Sequence, residues 1–156
     1  MPGSFLNLGA KVKSMKIFHL DTSYEYDFDL YGLVSAGKDY KMAWWLNKLL
    51  GMRLTKQEDL LYTLPGREVI RISNFEFSTD HCVVRLFRNK ALGTSTVRKP
   101  YLLPEIKEYD YVLQVTGPFS ALMPQNFANT LLNIPLVQYV KQFDPLTLKF
   151  KENLIF

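Results

Sequence analysis

Glu105 and Asp110 are the first pair in this sequence whose types and spacing could do chemistry, as a general acid and a general base. Such a pair needs surroundings that push its two pKa values apart. Five residues along a helix turn the side chain by about 140° from its starting direction, so local geometry does not bring the two carboxylates together. The simpler reading makes Glu105 a helix-start residue favoured by the helix dipole and Asp110 the residue that closes the turn into a strand. Glu25, Asp27 and Asp29 form a second acidic row. Alternate strand residues lie about 6.5 to 7 Å apart, too far for three of them to close on one ion without other ligands. A solvated face, or an edge strand protected by charge, is the better reading of that row. The one cysteine, Cys82, and the two histidines, His19 and His81, are spaced unlike a zinc ligand set. With no Gly-rich phosphate loop, no nucleophile elbow and no Cys and His of the sort used in covalent catalysis, the sequence points to no catalytic residue, no metal and no cofactor.

Binding is the other chemistry on offer. Tyr40, Trp44 and Asn47 fall on one stripe of a predicted helix, at i, i+4 and i+7. Exposed, that stripe would anchor a protein partner through its two aromatics, with Asn47 supplying directional hydrogen bonds. Covered by another element, it would be a second core face. Arg85, Arg88, Lys90, Arg98 and Lys99 lie in a span from His81 to Pro104 that holds no acidic residue. These cations could meet phosphates, with Phe87 or Tyr101 stacking on bases, although no recognised RNA-binding motif accompanies them. Glu105 and Asp110 remain the candidate residues for a small-molecule cleft.

The elements that must position these residues follow from hydrophobic period and turn chemistry. Tyr24, Tyr26, Phe28 and Leu30 alternate with carboxylates as a strand. A helix is expected over 38–50, capped by Ser35 or Asp39 and stopped at Gly51, with Met42, Ala43, Trp45, Leu46, Leu49 and Leu50 on one broad apolar face. Short strands are expected over 53–56 and 59–64. Segments 70–78 and 81–88 read as a hairpin around Thr79 and Asp80, pairing Phe77 with Cys82 and Phe75 with Val84. The span 89–100 reads as a surface loop. Pro104 starts a short helical turn, and residues 111–116 form a strand ended by Gly117 and Pro118. Pro124 can open a helix through Leu132 that turns Phe127 and Leu131 to one side, and 136–143 form a last strand. The terminal Leu154, Ile155 and Phe156 are apolar enough to dock on the chain's own core, or to be captured by a partner.

Leu103-Pro104-Glu105, three residues, then Asp110-Tyr111 resembles the signature of the uncharacterised IPExxxDY family, with Leu103 in place of the Ile. Lys38-Asp39-Tyr40 leading to Trp44 and Leu46-Asn47 is similar to it as well, as is the tail Asp144-Pro145, Leu148-Lys149 and Asn153-Leu154-Ile155-Phe156. The resemblance covers the chain from about Tyr24 to Phe156. It implies a small bacterial cytosolic protein and supplies no catalytic residues.

The chain has 156 residues, 47% of them apolar, enough to bury about 70% of the unfolded surface in one core. A single cysteine excludes an internal disulfide and fits a reducing cytoplasm. No apolar run approaches the roughly 18 residues of a membrane span, and the start lacks the apolar core of a signal peptide. The net charge of +4 permits an acidic partner. Residues 1–14 read as a disordered N-terminal extension and 15–156 as one domain. The element order implies an α+β fold: a single two-layer domain with a mostly antiparallel sheet of about five strands covered by two main helices, a ferredoxin-like variant being one such topology. The functional expectation is a cytosolic protein-interaction or regulatory module without chemistry of its own, able to self-associate. A small-molecule binder or enzyme with a cleft near Glu105 and Asp110 is the alternative, and RNA binding through the basic loop the third.

Overall fold

The computed structural model describes residues 26–64, 66, 68–93, 100–117 and 126–156. The predicted extension over 1–14 lies outside them. So do Tyr24 and Glu25, Pro118 and Pro124, and the basic residues Arg98 and Lys99. In chain order the elements are β1 (Phe28–Ser35), α1 (Asp39–Leu50), β2 (Thr55–Lys56), β3 (Leu60–Thr63), β4 (Val69–Ile72), β5 (Asn74–Ser78), β6 (Val83–Arg88), β7 (Tyr111–Thr116), α2 (Phe127–Leu132) and β8 (Val137–Phe143). A 3-10 turn at Pro104–Ile106 precedes β7, and two more, Pro145–Thr147 and Lys151–Leu154, follow β8.

The fold is α+β, with a six-stranded antiparallel sheet ordered β2-β5-β6-β7-β1-β8 and a separate hairpin of β3 and β4. Every neighbour in the sheet is antiparallel. β1 and β6 therefore run parallel with β7 between them, and β7 and β8 run parallel with β1 between them. Each pair is a split β-α-β unit, spanned by α1 or α2. Two interleaved units of this kind are what a ferredoxin-like variant requires; of the four strands inserted between α1 and β6, β2 and β5 extend the sheet on one side and β3 and β4 form the separate hairpin.

Strand alternation sends Tyr31 and Leu33 of β1, Val84 and Leu86 of β6, and Leu113 and Val115 of β7 to one face. There they meet Met42, Ala43 and Leu46 of α1 and Phe127 and Leu131 of α2 in one buried cluster. Each such side chain contributes about 1.5 to 3 kcal/mol by leaving water. The buried stripe of α1 is narrower than its apolar composition suggests, because Leu49 is exposed and Trp45 only half-buried. Lys38 stands at the helix N-cap without a side-chain cap bond, and Ser35 Oγ instead accepts the Gly37 N-H at 3.0 Å. Gly51 closes the helix in the left-handed conformation, as its position predicts.

The opposite face of the sheet is also covered. Leu30, Phe87 and Val112 pack there beneath Ile70 and Ile72 of β4, the segment from Leu102 to Tyr109, and Leu148 and Leu154 of the C-terminal segment. Gly32 of β1 allows this cover to lie close, since a Cβ there would sit 2.8 Å from ring carbons of both Tyr109 and Phe143.

Several local expectations change. β1 begins at Phe28 rather than Tyr24, and Asp27 and Asp29 are exposed at its start. Segment 70–78 is two strands rather than one: β4 joins the covering hairpin, Ser73 turns the chain, and β5 enters the main sheet. The β5-β6 hairpin pairs Phe77 with Val84 and Phe75 with Leu86, two residues from the expected register. Thr79 explains the longer loop, because its N-H reaches Cys82 O and its Oγ accepts from the Cys82 N-H. A shift of two preserves the faces, so Phe75, Cys82, Val84 and Leu86 still enter the helix-side core.

An aromatic groove on the first helix

The candidate site residues separate into several settings. Tyr40 and Trp44 lie on the outer side of α1 and are 56% and 54% exposed. Asn47 belongs to the same stripe but is committed elsewhere. Its Nδ2 donates to Leu54 O at 3.2 Å and its Oδ1 accepts the Leu54 N-H at 2.7 Å, which clamps the chain as it leaves the helix. The residue the stripe reading missed is Trp45. Its ring meets Trp44 edge to face, with centroids 5.1 Å apart and planes at 88°.

Tyr40, Lys41, Trp44, Trp45 and Leu136 line an open groove of about 450 Å³. Its elements explain it. α1 presents the four helix residues from consecutive turns, while Leu136, just before β8, closes the side near Gly37, where an added Cβ would come within 2.8 Å of Leu136 Cδ1. Lys48 Nζ lies 5.0 Å from the Trp44 centroid and 5.7 Å from that of Trp45, a cation over two indole faces. Among the described residues no carboxylate pairs with Lys41 or Lys48.

Glu105 and Asp110 are engaged at separate places. Glu105 Oε2 accepts the Phe150 N-H at 3.1 Å, holding the C-terminal segment, and Asp110 Oδ2 accepts the Ser35 N-H at 2.8 Å, closing the end of β1. The Asp110 backbone adds to the same clamp, its N-H donating to Leu33 O and its carbonyl accepting from Asn89. Both carboxylates therefore serve as acceptors for backbone N-H groups of distant segments, contacts that a helix-start or turn-closing role does not by itself contain.

The basic residues do not form one surface. Arg85 and Arg88 are three apart in β6 and so project from opposite faces of the sheet. Arg85 packs under the tail: its Nε bonds Glu76 Oε1 at 3.2 Å, and its guanidinium carbon lies 4.6 Å from the Phe156 centroid. Burial lowers its pKa, and Glu76 opposes that shift by favouring the charged form. Arg88 stands on the helix side opposite Tyr111, and Lys90 is exposed at a bridge to Tyr101. Burial pushes the Tyr111 hydroxyl up to about 12, nearby Asp39 and Asp110 add to the rise, and Arg88 opposes it. That hydroxyl donates to Gly37 O at the start of α1.

Asn89, expected to open a surface loop, is fully buried. Its Nδ2 faces the carbonyls of Leu103, Ile106 and Tyr109 at 3.4, 3.1 and 3.0 Å, and its Oδ1 accepts the Leu103 N-H at 2.8 Å. The segment that carries the Leu103-Pro104-Glu105 and Asp110-Tyr111 pattern is thus wrapped around one amide. An asparagine directly after a strand of alternating apolar residues is the only sequence signal for it, and that signal also suits a loop. The tail is pinned in a similar way. Gln114 Nε2 donates to Leu154 O at 2.9 Å, Tyr62 Oη to Asn153 O at 2.8 Å, and Asn153 Nδ2 to Leu102 O at 2.8 Å. Leu154 is buried and Phe156 stacks on Phe87 at 5.4 Å, so the apolar end docks on the chain's own core.

No family model, curated protein or solved structure matches the chain. Among the described residues no helix is long and apolar enough to cross a membrane.

Proposed function

We propose that this chain is a non-enzymatic cytosolic protein-interaction module that engages a partner through the groove on the outer side of α1. The observation that carries this reading is the exposure of Tyr40 and Trp44 beside half-buried Trp45. Large rings of this kind, grouped on a surface, are what anchor interfaces, and the inner face of the same helix is already packed on the core. α1 is therefore a rigid platform. The remaining candidate residues favour structure over chemistry, since Glu105, Asp110 and Asn47 all hold backbone groups. The buried single thiol of Cys82 is in keeping with a reducing compartment.

The test is site-specific photocrosslinking in the intact chain, in its native cytoplasm. A photoreactive phenylalanine replaces Tyr40 in one variant and Leu61, an exposed residue of the covering hairpin on the other side of the sheet, in a second. A discrete adduct from position 40, absent from position 61 and lost when Trp44→Ala is added, is the expected result. Identical adducts from both positions, or none from position 40, would sink the proposal.

A further inference from the structure

We infer that the groove on α1 takes an extended acidic segment of a partner protein, one that inserts an aromatic side chain between Tyr40 and Trp44 and places carboxylates on Lys41 and Lys48; the inference rests on the interaction reading above. Charge complementarity carries it first. Lys38 at the N-cap and Lys41 and Lys48 on α1 are all exposed, and among the described residues none of them has a carboxylate partner. The one acidic residue of the helix, Asp39, is turned inward: its Oδ2 accepts from Ser73 Oγ at 2.6 Å and its Oδ1 from the Tyr40 N-H at 2.7 Å. The groove therefore sits in a positive field with its only nearby helix anion already bonded, which attracts acidic segments and repels basic ones.

Shape carries it second. A volume of about 450 Å³ lined by five residues admits a few side chains of an extended segment, whereas a docked helix needs a longer trough to seat anchors at i, i+4 and i+7. The walls decide which side chain enters. Trp44 and Trp45 already meet edge to face, and a third ring set against Tyr40 and Trp44 continues that arrangement at the usual centroid spacing of about 4.5 to 7 Å. Lys48 sits above both indoles, so a carboxylate beside the inserted ring would meet an ammonium that is already positioned. Leu136 supplies the apolar end of the groove.

The chain has two tryptophans and both line this groove, so tryptophan emission reports its occupancy directly. Three short peptides, acetylated and amidated, serve as probes with the full chain: Asp-Glu-Phe-Glu-Asp, the same peptide with Ala for Phe, and Lys-Arg-Phe-Arg-Lys. The acidic aromatic peptide is expected to shift the emission saturably. Its affinity should fall about tenfold when the ring is removed, a difference of about 1.4 kcal/mol. A similar loss is expected in the Lys41→Glu, Lys48→Glu double variant, and binding should weaken as added salt shortens the Debye length from about 10 Å toward 3 Å. Circular dichroism melting of that double variant verifies that its loss is not unfolding.

Tighter binding of the basic peptide would overturn the acidic assignment. So would acidic-peptide binding that ignores the double variant, which would move the contact off the groove. A position-40 crosslink to a partner, combined with silence from all three peptides, would leave the interaction reading standing and sink the partner class. An adduct joining two copies of this chain, or closing within one, would replace the acidic partner with the protein itself. Failure of both crosslink and peptides would remove the groove as a binding surface.

Discussion

The two faces of the central sheet are covered by different means. On one side α1 and α2 lie over Leu33, Val84, Leu86 and Leu113, and their contact is almost wholly apolar. On the other, the β3-β4 hairpin, the turn at Pro104–Ile106 and the C-terminal segment do the covering, and amides tie them down: buried Asn89 to 103–109, buried Gln114 to Leu154, and half-buried Asn153 to Leu102. The reason is backbone accounting. A helix satisfies its own N-H and C=O groups, so it needs only a greasy stripe to dock. Irregular chain brings orphaned carbonyls and N-H groups into the core, and something there must bond them. A buried asparagine in a chain like this is therefore a folding device before it is a candidate for catalysis.

The strongest way to break this contrast is Asn89→Ala. It leaves the Leu103 N-H and the carbonyls of Ile106 and Tyr109 without their buried partner and should cost about 3 to 5 kcal/mol in denaturant unfolding. Coupling sharpens the point. Asn153→Ala should be non-additive with Asn89→Ala by about 0.5 kcal/mol or more, because both amides hold the same strap at Leu102 and Leu103, whereas Leu46→Ala on the helix face should add independently. Additivity of the two asparagine variants would mean that the cover is not one unit.

Tyr111 is a middle-sized test, since its hydroxyl is a polar tie on the largely apolar helix side. Its folded pKa of about 12 exceeds the unfolded value of 10.0, so the folded state keeps the proton longer. Its stabilisation is fully present below pH 10 and declines as the pH rises toward about 12. Tyr111→Phe should lower stability at neutral pH by about 1 to 2 kcal/mol and flatten the alkaline decline between those two values. An unchanged alkaline slope would assign that decline to other groups. Half-buried Tyr62, whose pKa burial also raises, is the first alternative.

The smallest stability effect should come from Trp44→Ala, on the outer side of α1. It removes an edge-to-face contact and one cation over its ring, and should change stability by less than about 1 kcal/mol. A loss of several kcal/mol would make Trp44 part of the core and withdraw it from the groove.

How much of this was legible in the chain differs between the faces in the same way. The helix over 38–50 was readable from period and from Gly51, and Phe127 with Leu131 marked the inner side of α2, because apolar period and stop signals are local. The pair Tyr40 and Trp44 was readable for the same reason, and both are exposed. Asn47 shared their stripe but not their role, since its partner Leu54 lies in the loop beyond the helix and no helical wheel contains it. The basic run from Arg85 to Lys99 looked continuous because a string of residues does not display which side of the sheet each one faces; in strand β6, Arg85 and Arg88 point apart.

By itself the sequence determined the α+β class, the mostly antiparallel sheet, the two helices and the core face of the hairpin that carries Phe75, Cys82, Val84 and Leu86. These depend on periods of 2 and 3.6 residues and on turn residues that act within a few positions. Only the tertiary structure decided that Ile70 to Ser78 divides between two sheets, that the hairpin register shifts by two, that Asn89 is a buried hub, and that Trp45 and Leu136 complete the groove with Tyr40 and Trp44. Each of those outcomes joins residues far apart in the chain, and a contact between distant segments is selected by what else must be buried and bonded beside it.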